Sequence, residues 1–364
     1  MSPIRNFDFF GSGAFDRRSL NKALAASGLS LAAVPMFASQ VRASDLVLYE
    51  WGGYELPEFH PEYTAATGGS PEFTFFADEE EALQKIRAGF RPDLSHPCVG
   101  SIGRWRDAGV IKPIDTSRIE RWDEIIPSLL EFEGLVVDGE AYFMPWEFGY
   151  TAVAYNPALI DPGDQGFSLL VDPAFKGRVS CGSQIDEAVA VGGVIGGFAD
   201  PFEPTEDEIA RLPDIWRQIV SNARFLWSTI SEYEQAMASG EVAASYIWTQ
   251  SIPPLAEQGV ELRIVDPVLP WMCGLVLNSD GAGDEDLAYA YMNAMLDPQA
   301  GKALVELYGY GHANRNTYPL VSDGILAANG LSDPVSLLSK GIFFKAIPER
   351  DRLITMWEEV QAGI

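Results

Sequence analysis

Histidine and cysteine are scarce in this chain, with three of each in 364 residues. His60, His96 and His312 stand far apart, and none sits at metal-ligand spacing from a cysteine or another histidine. No metal centre is expected on that count. Cys98, Cys181 and Cys273 are an odd number and make no disulfide framework. They are expected to be free, mostly buried thiols, with a Cys98–Cys273 bridge as the alternative. Catalytic signatures are missing too. There is no GxSxG, no Walker A loop, no HExxH and no GxGxxG following a strand. A carboxylate pair could still hydrolyse a substrate, but in a chain this acidic such pairs arise by chance. The expectation is therefore a protein that is not an enzyme and needs no cofactor.

Positive charge is also in short supply. Asp and Glu number 52 against 25 Lys and Arg, a formal net charge of −27. Nucleic acid is excluded as a partner, because binding it needs clustered positive charge. The acidity suits either solubility in a saline or exposed setting or attraction of cationic ligands. Only 7 of the 25 basic residues are lysine, which suits solubility. Hydrophobic residues make up 47%, enough for a real core. Beyond the first 43 residues, no apolar run is long enough to span a bilayer.

Those first 43 residues read as an export signal. Arg17-Arg18 precede a mildly apolar run from Ala23 to Phe37, then Val41-Arg42-Ala43. A basic head, an apolar middle and a small-residue cleavage site make a secretory leader. The paired arginines give it the twin-arginine type, which exports folded proteins. Folding first in a reducing cytosol agrees with free thiols. Gly28 and Pro35 break the run, so it does not read as a membrane anchor. Cleavage after Ala43 would leave 364 − 43 = 321 residues. Localisation is then the periplasm.

The remainder alternates strand and helix patterns, which argues α/β layers. Leu46-Val47-Leu48-Tyr49 reads as a strand and Trp51-Gly52-Gly53-Tyr54 as a loop. Pro92-Asp93-Leu94 opens another strand, and Thr151 to Tyr155 is a further β-rich run. Glu79 to Gly89 reads as a helix with an acidic first turn and a basic last turn. Val136 to Met144 reads as a strand pair about the turn dipeptide Asp138-Gly139. Thr205 should cap a helix running to Val220, which Pro213 should kink or split. Asp284 should cap a helix to Leu296 with Leu287, Tyr291 and Met295 on one face. Glu349 to Val360 reads as a helix with Leu353, Met356, Trp357 and Val360 inward. No internal repeat or low-complexity tract is seen.

The positive signal is aromatic. Trp51, Tyr54, Trp146, Phe148, Tyr150, Trp248, Trp271 and Tyr310 lie at loop or strand-end positions, most near Gly or Pro. Ring faces over a cleft bind cations through the quadrupole and also stack on sugars. Carboxylates beside these loops or turns (Glu50, Glu147, Asp186, Glu187) favour the cation. His96, beside Pro97, reads as a hydrogen-bonded structural histidine.

Six blocks then resemble one family. They are Leu48-Tyr49-Glu50-Trp51-Gly52-Gly53-Tyr54; Asp93-Leu94-Ser95-His96-Pro97-Cys98 with Gly109 to Asp115; Pro145-Trp146-Glu147-Phe148-Gly149-Tyr150-Thr151; Gly240 to Trp248; Pro270-Trp271-Met272; and Leu307-Tyr308-Gly309-Tyr310. In this order they resemble the spermidine/putrescine-binding proteins of bacterial ABC importers. The resemblance implies a two-lobed type II periplasmic-binding fold, with a hinge and an interlobe ligand cleft. It places lobe 1 at residues 44–149 plus 272–318 and lobe 2 at 150–271 plus 319–364, with crossings near Tyr150, Trp271 and Pro319. It implies a monomer that captures a small cationic solute for a membrane permease. It also implies ligand contacts from Trp51, Tyr54, Cys98, Glu187, Trp248, Trp271, Cys273 and Tyr310. Four positions depart from it. Gln184 and Cys273 stand where spermidine binders carry Asp, Gly100 where they carry Tyr, and Cys98 where they carry Ser. An ammonium buried without a carboxylate costs several kcal/mol. Either Glu147, Asp186 or Glu50 compensates, or the solute carries less charge. The alternatives are a neutral, sugar-like or amino-acid-like solute, or a secreted carboxylate-pair hydrolase.

Overall fold

The computed structural model of the protein describes residues 45–339 and 341–363. The segment expected to be a leader, with Arg17, Arg18 and Ala43, lies outside the described residues.

Twelve strands are formed: β1 (Val47–Trp51), β2 (Glu72–Phe76), β3 (Leu94–Ser95), β4 (Ile111–Lys112), β5 (Val136–Val137), β6 (Glu140–Ala141), β7 (Met144–Tyr155), β8 (Val179–Gly182), β9 (Ala223–Trp227), β10 (Ala244–Trp248), β11 (Arg263–Asn278) and β12 (Gly311–His312), counting the described residues. Ten of them share one sheet. Its main path runs β2-β1-β3-β11-β7-β10-β8-β9, and β5 pairs only with β6. β1 is parallel to β2 and β3, and β8 is parallel to β9 and β10. Parallel neighbours need a crossover, and helices supply it. Glu79–Arg87 follows β2, Ile185–Gly196 follows β8, and Ile230–Ala238 follows β9.

Two long antiparallel strands join the halves. β7 has 12 residues and β11 has 16, so each spans on the order of 40–50 Å. Along β7 the buried side chains join a first core up to Phe148 and a second from Val153. Along β11 the change falls between Leu269 and Trp271. The first core packs around Leu48, Leu94, Trp105, Leu275 and Tyr291, and the second around Val189, Trp216, Tyr246 and Leu353.

The third passage differs from the expected one near Pro319. Val321, Leu326, Leu331 and Leu337 are buried in the first core, so the chain stays there after Pro319. It passes over at residues 342–347, where Ile342 and Phe344 donate backbone N–H groups to Val268 and Pro270 (3.1 and 2.8 Å). Ile347, Leu353, Trp357 and Val360 then enter the second core, while Met356 is half-buried.

Local chemistry explains the element ends. Asp78 accepts from the N–H groups of Glu80 and Glu81 (2.9 and 3.0 Å) and starts the Glu79–Arg87 helix. Thr205 and Glu208 form a capping box at the start of Glu206–Asn222. That helix is not split. It runs 17 residues through Pro213, because Ile209, Leu212, Ile215, Trp216 and Ile219 bury a continuous stripe and outweigh one missing N–H. Asp284 caps Glu285–Met295, whose Leu287, Tyr291 and Met295 are buried. Asp138 and Gly139 have φ of 53° and 86°, the paired positive values of a tight hairpin turn. Among the described residues, no helix is long and apolar enough to cross a membrane.

Candidate functional site

The site forms where β7 and β11 leave the first core for the second. Two adjoining cavities, of about 80 and about 330 Å³, share Trp51, Cys98, Gln184, Trp248 and Trp271 as walls. The structure brings all eight expected residues to this place. Glu187 lines the smaller cavity; Tyr54, Cys273 and Tyr310 line the larger.

The aromatic wall is interlocked. Trp271 meets Trp248 at 5.3 Å between ring centroids and Tyr310 edge-on at 4.7 Å. Gly149 makes this possible, since a Cβ there would lie 2.8 Å from both the Trp271 and the Tyr310 rings. Trp51 ends β1 and is held by its indole N–H, which donates to the His96 carbonyl at 2.8 Å. Tyr54 lies edge-on to His96, Trp146 and Tyr308 at 5.3–5.5 Å. Trp146 itself is fully buried and serves the core.

Glu187 sits in the first turn of Ile185–Gly196 and is buried. It receives the Trp248 indole N–H at 3.2 Å and the Gln184 N–H at 3.4 Å. Burial pushes its carboxyl up to about 8 despite these donors. Gly182 leaves room for the carboxyl in this position, since a Cβ there would lie 1.7 Å from Glu187 Oε2 and make the carboxyl shift.

A second buried set of titratable groups lies in the first core. Glu50 Oε1 lies 2.5 Å from His96 Nδ1, and His96 Nε2 lies 3.7 Å from Glu147 Oε1. All three side chains are at most 1% exposed. Burial works against a charge on His96, but Glu50 and then Glu147 overcome it and raise the imidazole above its ordinary value. Burial pushes Glu147 up to about 8, while His96 and a hydrogen bond from Tyr54 act against the rise. Glu147 lines the larger cavity.

One expectation is corrected. Cys98 and Cys273 are not free thiols but form a disulfide across 175 residues, bringing the loop after β3 onto β11. Cys181 is the buried free thiol among the described cysteines, and burial pushes it above its ordinary value. The two segments already meet as an antiparallel bridge, which a cysteine count cannot show.

Several lining residues gave no sequence signal. Glu79 accepts from the Cys98 N–H and from Ser101 Oγ, and burial raises it to about 7. Arg350, from the terminal helix, pairs with Asp186. Burial opposes its charge, yet Asp186 raises it above its ordinary value. Gly100 is explained by the passage at 342–347, since a Cβ there would lie 3.1 Å from the Lys345 carbonyl carbon. His60 and His312 are interior, bonded to Ser70 and to Thr317 and Met295. Among the described residues, no group of three or more His, Cys, Asp or Glu could hold a metal ion.

A mixed sheet with two cores, and a walled cavity where its long strands cross, defines a two-lobed binding protein. The bacterial extracellular solute-binding protein family matches residues 60–328, and the chain belongs to it. The chain is 24% identical over 363 residues to the putrescine-binding periplasmic protein PotF of Escherichia coli, covering 93% of this chain and 97% of that one. It is likewise 24% identical over 348 residues to a putrescine/cadaverine-binding protein of Pseudomonas aeruginosa, covering 89% and 95%. Its fold matches the spermidine/putrescine ABC transporter substrate-binding protein PotD of Streptococcus pneumoniae with a TM-score of 0.70 at 20% identity, covering 88% and 99%.

Proposed function

We propose that the protein is the periplasmic substrate-binding component of an ABC importer. It captures a small organic amine of the polyamine kind and presents it to a membrane permease. The observation that carries this reading is Glu187, a buried carboxyl at the base of a cavity walled by Trp51, Trp248 and Trp271. Aromatic faces attract ammonium groups, and a desolvated carboxylate pairs with them strongly. Trp51, Tyr54, Trp248, Trp271 and Tyr310 box the alkyl chain. Cys98 and Cys273, joined, form an inert part of the wall.

Residues 1–43 act as a twin-arginine leader. The lobes are 45–149 with 272–339, and 150–271 with 342–363; they close on the solute as a monomer, without catalysis. Calorimetric titration of residues 44–364 with putrescine, spermidine, monoamines, amino acids and sugars tests the reading. Micromolar or tighter binding of an amine is expected. Binding of sugars alone would refute it. Turnover of any solute would favour the hydrolase instead. A second reading, an amino-acid-like solute, draws on Trp271, whose buried indole N–H has no acceptor.

A further inference from the structure

Besides Glu187, four carboxyl groups stand near the cavity: Glu50, Glu79, Glu147 and Asp186. Three are engaged. Asp186 is paired through both oxygens with Arg350. Glu79 uses one oxygen for the Cys98 N–H and the other for Ser101 Oγ. Glu50 takes the Trp51 N–H at 2.8 Å and His96 Nδ1 at 2.5 Å, both on Oε1; its Oε2 is also buried without a partner, but Glu50 lines neither cavity.

Glu147 alone of the four joins an unpartnered oxygen to a place on a cavity wall. It is 1% exposed and lines the larger cavity, yet its Oε2 has no hydrogen-bond partner. It is the cross-strand partner of Cys273 in the β7–β11 ladder. Opposed residues project to the same face of a sheet, and Cys273 lines the same cavity. A buried polar oxygen left unpaired is costly, and such an oxygen aimed into a cavity asks for a donor. His96 and Glu50 pair behind it, and burial holds a proton on Glu147 near neutral pH, so an arriving ammonium would take that proton's place.

We infer that Glu147 is a second anchor for the solute, taking an ammonium group at the end remote from Glu187, so that the preferred solute is a diamine with two cationic ends. The chain between those ends passes Trp51, Trp248 and Trp271, which line both cavities. This assignment rests on the amine reading above.

The test compares putrescine with butylamine, its one-ended counterpart, by calorimetry at pH 7 on the wild type and on Glu147→Gln. The wild type should prefer putrescine, and the variant should lose that preference by about tenfold or more. General damage to the fold would weaken both ligands alike and leave their ratio intact. A variant that keeps the wild-type ratio overturns the second anchor while leaving amine binding standing. A wild type that takes up neither amine overturns the amine reading and this assignment together.

Should the variant fail to fold, proton counting on the wild type decides. The groups facing Glu147 are His96, Glu50, Tyr54, Tyr308 and Tyr310. Each carboxyl is raised to about 8, so each ammonium bound at pH 7 displaces a proton. Titrations in buffers of different ionisation heat should show putrescine releasing up to one more proton than butylamine. Equal release overturns the assignment.

Discussion

Glu187 and Glu147 are both raised to about 8, but their surroundings are built differently. Glu187 is set partly by its own stretch of chain, with one distant donor, the Trp248 indole 61 residues on. It stands in a helix's first turn, receives neutral N–H donors from Gln184 and Trp248, and fits because Gly182 lacks a side chain. Glu147 belongs to no local motif. It lies mid-strand, and its environment comes from Glu50, Tyr54 and His96, all distant in sequence. One carboxyl is held by dipoles and the other by an ionisable relay. The first end of the cavity should therefore respond to steric change, and the second to loss of charge.

The largest effect is expected from the relay. His96→Gln removes the cation between Glu50 and Glu147 and leaves buried carboxyls without a counter-charge. Breaking one partner from a buried charged set costs on the order of 3–5 kcal/mol. A large fall in melting temperature, most marked at and below neutral pH where His96 carries its proton, is expected by calorimetry. A melting curve like the wild type's would show that the relay carries no net charge.

Gly182→Ala attacks the other end. The added Cβ collides with the Glu187 carboxyl, which must turn away from Trp248 and the cavity. A charge-assisted bond contributes about 1.5–3 kcal/mol, so amine affinity should fall by about tenfold to a hundredfold. The Glu50–His96–Glu147 relay should be untouched. Unchanged affinity would remove Glu187 from the site.

Titration sharpens the comparison further, because both ends carry the same sign. Glu147 and Glu187 have folded values above their unfolded one, so the folded empty protein binds more protons. Their contribution to stability is greatest below about 4.5 and is lost as pH rises through about 8. His96, also raised, gives stability that is full below its unfolded value and lost as pH rises through its folded one. The empty protein should melt at a higher temperature at pH 6 than at pH 8. Amine affinity should run the opposite way, rising over that interval, because fewer protons need displacing. An affinity flat from pH 6 to 8 would mean that neither carboxyl meets the solute.

The same contrast explains what could be read from sequence. Asp78, Thr205 and Asp284 cap helices through contacts two or three residues away, and Asp138-Gly139 turns a hairpin alone; such features are local. Only half of β7 was legible at Thr151 to Tyr155. Met144 to Gly149 is buried without alternation, so it shows no strand period. The aromatic wall was visible because Trp51, Trp248 and Trp271 stand beside glycine, proline or strand ends. The disulfide is not legible in the sequence, because an odd count and the expected export of a folded chain both argue for thiols, while the meeting of Cys98 and Cys273 is a tertiary fact. Glu147 stands among several candidate carboxyls in the sequence, and only its unpartnered oxygen together with its place on the cavity wall singles it out.

The smallest effect is expected at Arg350, and its sign is informative. Arg350 lines the smaller cavity and pairs with Asp186, while its Nε lies 3.8 Å from Glu80, on the helix after β2. Arg350→Ala loses a partly buried pair and should lower stability by about 1 kcal/mol. It also frees the Asp186 carboxylate and removes a cation beside the Glu187 end. Amine affinity should therefore rise by roughly threefold at low salt and return toward the wild-type value as salt screens the site. A fall in affinity would assign Arg350 a different task. Its contact with Glu80 joins the second core to the first, so a weakened complex would mean that the residue works by holding the two together.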